Sequence, residues 1–239
     1  VGAMCIDALR SIECQVDPQA GNRVIVVDNA SGDCSDDEIE RAIEENGWSS
    51  WSRLVRSPVN GGFAAGNNFG IDSALESGPV PTYVHLLNPD TVARKDALPT
   101  LWSFMEKHPE VGIGGSRLDN EDGTQHHSRY RFPSLWSEIE SRLGLGIASH
   151  ALKKHIVAFP LAPVTEQVDW LAGASMMIRW QVIEDIGRLD DGYFMYFEET
   201  DFCVRARRTG VQVHRAPVGR FVHHAGGTSK SVRLRTFLD

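Results

Sequence analysis

Three carboxylates crowd into Glu198-Glu199-Thr200-Asp201. A helix start favours negative charge and keeps such groups ionised, so the segment reads as an ordinary helix beginning or as the source of a general base. Helical phase separates the candidates. Glu198, Asp201, Arg205 and Arg208 share one face, as a solvated row of ion pairs would, whereas Glu199 shares its face with Phe202, Cys203 and Ala206. Glu199 therefore points inward and is the better base, with Glu198 and Asp201 as the other candidates. A further carboxylate lies in Asn88-Pro89-Asp90-Thr91, after an apolar run. Held there by the rigid proline, Asp90 could bind Mg2+ or Mn2+ bridging a diphosphate, since hard oxygen ligands suit these ions; a type I turn explains the same residues. One of His223 and His224 could complete that metal site through an imidazole nitrogen, or serve structure alone. His126 and His127 lie in a stretch of weak pattern and read as solvent-exposed.

Two polar runs suit a nucleotide. Asp28-Asn29-Ala30-Ser31, with Asp33 and Ser35 close behind, puts short acceptors and hydroxyls where a strand meets a helix; it can grip a base or ribose, or only cap the helix. Asn60-Gly61-Gly62-Phe63-Ala64-Ala65-Gly66-Asn67-Asn68 is glycine-rich and opens a helix, so its N–H groups can approach a nucleotide closely. A tight loop explains it as well, and no Gly-Lys-Ser/Thr or GxGxxG pattern sharpens it. Trp170 could stack on a sugar, although a core position is the stronger reading.

These residues need elements to position them. Strand-like and helix-like segments alternate through the first half, which predicts an α/β sandwich around a largely parallel sheet. Strands are expected at residues 23–27, 54–55, 83–87 and 111–118, and helices at 35–46, 63–75 and 98–107. Ser35 with Glu38 forms a capping-box signature, and Gly47 stops that helix. After the turn Asn120-Glu121-Asp122-Gly123 the pattern weakens from 125 to 167, with one amphipathic helix expected at 135–143. Order returns with the apolar segment 170–179, helices at 181–186 and 198–208, and a last strand leading to His223 and His224. In open α/β sheets ligands bind beyond the carboxyl ends of the strands, where Asp28 and Asp90 both stand.

With 239 residues, 41% of them hydrophobic, the chain can bury one sizeable core, and we read one domain. The net charge of −8 is spread along the sequence and the basic residues form no stripe, which argues against a nucleic-acid partner. Cys5, Cys14, Cys34 and Cys203 have neither metal-site spacing nor the density of a disulfide scaffold, so reduced thiols in a cytoplasmic protein are expected. The longest apolar stretch, 170–178, is far short of a membrane span.

Taken in order, Val26-Val27-Asp28-Asn29-Ala30-Ser31, the run from Asn60 to Asn68, Leu87-Asn88-Pro89-Asp90, Gly173-Ala174-Ser175-Met176-Met177-Ile178-Arg179, Tyr193-Phe194-Met195-Tyr196-Phe197-Glu198-Glu199-Thr200-Asp201-Phe202-Cys203 and His224-Ala225-Gly226-Gly227-Thr228-Ser229 resemble the family 2 glycosyltransferases of GT-A fold, especially the bacterial rhamnosyltransferase-like branch. Each motif alone is weak or moderate; their order and spacing carry the resemblance. It implies an α/β/α nucleotide-binding sandwich with a mixed, mostly parallel central sheet. It also implies a single catalytic domain over 1–239, with a nucleotide-sugar half at 1–118 and an acceptor and catalytic half at 119–239.

By the same resemblance Asp28 reads the donor base, and Asn29, Ser31, Asn60, Gly61, Phe63, Asn67, Asn68 and Asn88 line the donor site. Asp90 binds Mg2+ or Mn2+, Glu199 stands where the family has its catalytic base, and Trp170, Gly173 and Ala174 shape the acceptor site. His224 fits the His-x-Gly-Gly-x-Ser pattern better than His223. The implied reaction is inverting transfer from dTDP-rhamnose or a UDP-sugar to a saccharide or lipid-linked saccharide in cell-surface polysaccharide synthesis. The implied setting is cytoplasmic, at the inner face of the membrane, with peripheral membrane contact and homo-oligomerisation left open. The family begins with an apolar strand, whereas this sequence begins in what resembles the following helix at 1–15, so a strand is expected before Val1. Two rivals are a sugar-nucleotide pyrophosphorylase, whose Arg- and Lys-bearing glycine loop is not visible, and a catalytically silent glycan-binding module.

Overall fold

A computed structural model describes residues 1–126, 128–132 and 164–224. The expected helix 135–143 and the residues after His224 lie outside them.

The first unit is built on two strands. Helix α1 (Gly2–Ile12) presents Cys5, Ala8, Leu9 and Ile12 on one stripe, the spacing of a helix with one buried face. Strand β1 (Val24–Asp28) leads to helix α2 (Ser35–Glu45), which returns the chain to β2 (Ser52–Arg56), paired in parallel with β1. Cys5, Leu9 and Ile12 pack with Ile39, Ile43, Trp48 and Trp51 in one cluster. Helix α3 (Gly62–Ser77) lies against β1, and a Cβ on Gly70 would come within 3.0 Å of Val27 Cγ2, so a bare glycine permits the close approach. The expected capping box does not form. The residue before α2 is Cys34, in a left-handed conformation, and Asp33 Oδ1 accepts the Ser35 N–H at 3.1 Å instead.

The larger sheet takes β3 (Tyr83–Leu87), β4 (Thr91–Ala93) and β5 (Val111–Asp119) from the middle of the chain, with helix α4 (Ala97–Lys107) crossing between β4 and β5. Leu101 and Met105 of α4 are fully buried, each contributing roughly 1.5–3 kcal/mol on burial. Pro99 falls in the first turn of α4, where its missing N–H has no intrahelical partner to lose. After the small strands β6 (Arg129–Tyr130), β7 (Glu166–Gln167) and β8 (Trp170–Leu171) come β9 (Ser175–Arg179), helices α5 (Trp180–Ile186) and α6 (Glu198–Arg208), and β10 (Gln212–His223).

The sheet order is β3-β9-β5-β10-β4, with β7 also on β10. It is mixed, as expected, but not mostly parallel. Among the described residues only β1 with β2 and β5 with β10 pair in parallel; β9 runs antiparallel to both β3 and β5. The crossover through α4 leaves a slot between β3 and β5, and β9 fills it from the opposite direction. The apolar segment at 170–179 forms two strands, β8 pairing with β6 and β9 entering the large sheet. The break at Ala172-Gly173-Ala174 is what brings Gly173 to the site.

Candidate active site

Helix α6 begins after two residues with positive φ, Tyr196 at 70° and Phe197 at 74°. Its second residue is Glu199, whose Cβ lies 3.9 Å from the position a Cβ on Gly173 would take. Burial raises the Glu199 carboxyl from 4.5 to about 7, with the neighbouring Glu198 charge pushing the same way. Its own N–H and that of Gly173 donate to the carboxylate and pull more weakly the other way. A partly buried group poised near neutrality is suited to accepting a proton.

The other two acids have different surroundings. Glu198 is 4% exposed, not part of the expected solvated row, and burial raises its carboxyl too. Helical phase assumed solvent on that face, but Glu198, the first helical residue, is buried. Asp201 is paired with Arg205 at 2.7 Å, and that guanidinium also donates to the carbonyls of Ile186 and Arg188. Asp201 holds the helix to the preceding loop.

Three distant segments meet around Glu199. Phe63 N–H donates to Phe194 O at 3.1 Å, and a Cβ on Gly62, at φ 81°, would sit 1.9 Å from that same oxygen. Only glycine fits there. The Phe63 ring in turn comes within 3.1 Å of the Cβ position of Gly173. The loop anchored this way presents Tyr193, Phe194, Tyr196 and Phe197 to solvent. Trp170 is stacked on Tyr130, ring centroids 4.2 Å apart, and donates from Nε1 to Arg131 O, so one face of the indole is already covered. Ala174 is buried, and its carbonyl accepts the Asn88 N–H at 3.1 Å, tying this edge to the next.

At that next edge Asp90 is 2% exposed, and its Oδ1 lies 3.3 Å from His223 Nε2. His223 is the last residue of β10 and stands opposite Thr91. His224 donates its backbone N–H to Asp90 O, but its ring faces Glu121, Nδ1 to Oε1 2.6 Å. The imidazole that meets Asp90 is thus that of His223, not His224. Among the described residues no group of three or more His, Cys, Asp or Glu side chains gathers as a metal cage. One carboxylate and one imidazole still fit Mg2+ or Mn2+, ions that take one or two protein ligands and complete their shell with substrate phosphates and water. His126 is half-buried rather than solvent-exposed, its ring centroid 5.4 Å from that of His223; His127 lies outside the described residues.

At the far end, Asp28 closes β1 and its Oδ1 accepts the Ser31 N–H at 3.2 Å. Asn29 donates to Gly62 O at 2.9 Å and Asn60 Oδ1 at 3.2 Å, and accepts from the Gly61 N–H, latching the glycine loop to the end of β1. Asn67 donates to Phe63 O within its own helix, and Asn68 to Leu189 O across to the loop after α5. Their amides shape the loop, whereas Ser31 is exposed. Sequence reasoning missed Tyr130, Glu121 and His126, because contacts between a hairpin and a strand end leave no periodic signal.

Residues 4–159 match the family model for glycosyl transferase family 2. The chain is 30% identical to the rhamnosyltransferase WbbL of Escherichia coli K12 over 65% of its own length and 57% of the relative's. It is also 30% identical to the low-salt glycan biosynthesis hexosyltransferase Agl10 of Haloferax volcanii, over 84% of its length and 58% of the relative's. It therefore spans somewhat over half of each. Among solved structures, GalNAc-T7 with UDP, GalNAc and Mn2+ superposes with a TM-score of 0.64 over 91% of this chain and 40% of that one, at 14% identity. The mannosyltransferase PcManGT from Pyrobaculum calidifontis, in complex with GDP-Man and Mn2+, gives 0.60 over 95% of this chain and 55% of that one, at 15% identity. These likenesses show the GT-A fold. By its sequence match and its fold, the chain belongs to glycosyl transferase family 2.

Proposed function

We propose that this chain carries the catalytic domain of an inverting glycosyltransferase that moves a sugar from a nucleotide-diphosphate donor to an acceptor hydroxyl. The observation that carries the reading is the partly buried Glu199 carboxyl, set beside Gly173 and Phe63 and raised by that burial to about 7. In the proposed step Glu199 takes the proton of the acceptor hydroxyl. The oxygen forms its bond to the anomeric carbon from the face opposite the diphosphate, whose bond to that carbon breaks, and the configuration inverts. A positioned base of this kind is worth on the order of 10²–10⁴ in rate.

Asp90 and His223 would hold Mg2+ or Mn2+, which when bound offsets the charge gathering on the departing diphosphate. Asp28 and Ser31 would receive the base and ribose, while Asn29 and Asn60 keep the glycine loop in place. Gly173, Ala174 and the aromatic loop from Tyr193 would shape the acceptor site. The relatives named as rhamnosyltransferases support dTDP-rhamnose as the donor, with a UDP-sugar the alternative. One of them, from Mycobacterium tuberculosis, is 25% identical over 61% of the chain and is named for an N-acetylglucosaminyl-diphospho-decaprenol acceptor, which supports a lipid-linked saccharide here. No described helix is long and apolar enough to cross a membrane.

A panel of nucleotide sugars tests the reading, each incubated with Mn2+ or Mg2+ and wild type, Asp90→Ala or Glu199→Gln. Release of one nucleoside diphosphate, lost in Asp90→Ala and sharply reduced in Glu199→Gln, names the donor. No release from any donor, together with no nucleoside diphosphate binding, overturns it.

A further inference from the structure

Beyond β5 the chain turns back in a short arm. Asn120 N–H donates to Thr124 O at 2.7 Å, Gly123 N–H to Asn120 O at 3.0 Å, and Thr124 N–H to Asp122 Oδ1 at 2.9 Å. Gln125 then bridges to Asp119, and His126 N–H reaches Leu118 O at 2.9 Å. The base of the arm is fixed by Asp119, 1% exposed, which binds Arg117 of β5 at 2.8 Å and Arg220 of β10 at 2.7 Å.

This arm meets both members of the histidine pair. Glu121 holds His224 at 2.6 Å, and the ring of His126 stands at 86° to that of His223, centroids 5.4 Å apart. Rings at such angles and at roughly 4.5–7 Å are in the favoured edge-to-face range. The main-chain hydrogen bond to Leu118 O fixes where the arm carries His126.

We infer that His126 is a positioning residue, whose ring holds the His223 imidazole so that Nε2 stays at Asp90 and the two donors face a divalent cation together. The inference rests on the metal role proposed for Asp90 and His223. Its chemistry is that of the outer shell of a metal site, where a neighbour fixes the plane of a ligating ring.

The test is Mn2+ binding without turnover, read from the electron paramagnetic resonance signal of free Mn2+, using the full chain with nucleoside diphosphate present. His126→Ala is expected to weaken Mn2+ binding by about two- to tenfold, the effect of losing one edge-to-face ring contact. His126→Phe keeps the ring without the nitrogens and is expected to bind as wild type, with thermal melts checking that each variant folds. If His126→Ala fails to fold, His126→Leu carries the same expectation. Wild-type affinity in the folded Ala or Leu variant overturns the inference, and so does a Phe variant as weak as Ala, which would make a His126 nitrogen the working group. A wild type that binds nucleoside diphosphate but no Mn2+, or a His223→Ala that binds Mn2+ normally, instead overturns the metal role proposed for the pair.

Discussion

Glu199→Gln separates function from stability in one substitution. Gln has nearly the same shape, and its amide oxygen can still accept the Gly173 N–H that reaches the carboxylate. What it lacks is the charge. The folded-state value of about 7 lies above the ordinary 4.5, so the native state binds the proton more tightly than the unfolded chain does. The cost of burying the ionised group is therefore absent below about 4.5, grows as pH rises between the two values, and is complete above about 7. At about 1.4 kcal/mol per pH unit, the full cost is about 3 kcal/mol, an upper figure because the side chain keeps some contact with solvent. Denaturant unfolding should show Glu199→Gln more stable than wild type by up to about 3 kcal/mol at about pH 8, with the gap closing near about pH 4.5. Meanwhile kcat/KM for sugar transfer should fall tenfold per pH unit below about 7 in wild type. A stability gap that does not change with pH would refute the desolvated position of Glu199, whatever the activity does.

Other changes divide the remaining acids and loops. Asp201→Asn should leave transfer within a few-fold of wild type and cost about 0.5–1 kcal/mol in denaturant unfolding, since its partner is Arg205. Gly62→Ala should destabilise by about 1–3 kcal/mol and depress transfer, because a Cβ there collides with Phe194 O. Asp28→Ala should weaken nucleoside diphosphate binding by calorimetry while leaving the pH limb attributed to Glu199 in place, because Asp28 closes a different strand.

Much of the first half is legible in the sequence because each element buries one face and is punctuated by polar residues. The strand at Tyr83–Leu87 and the helix at Glu198–Arg208 fall where periodicity puts them. The inward direction of Glu199 also follows from phase alone, since Phe202 and Cys203 on the same face are core residues. Glu198 departs from phase, because burial in a helix's first turn is set by the tertiary surroundings rather than by helical spacing. The partner of Asp90 was not legible either. His223 and His224 alternate sides of a strand, and only the pairing of β10 with β4 decides which ring turns toward the carboxylate. Pairing also explains the overestimate of parallel strands, as local pattern carries no strand direction.

The insertion of β9 between β3 and β5 bears on how the chain is made. Tyr83 and Arg179, joined by a side-chain hydrogen bond across that seam, are 96 residues apart in sequence. On the ribosome both flanking strands emerge long before the one that joins them. With about 55 residues between the end of β5 and the start of β9, and synthesis at roughly 5–20 residues per second, the seam stays open for about 3–11 seconds. During that interval the backbone edges of Tyr83–Leu87 and Val111–Asp119 are unpaired and apolar, so aggregation of nascent chains should concentrate on these two segments. The sheet then waits for Ser175–Arg179 and, later still, for Gln212–His223, which pairs the other edge of Val111–Asp119, and truncation before Ser175 should yield insoluble product even though the donor-side motifs are all present.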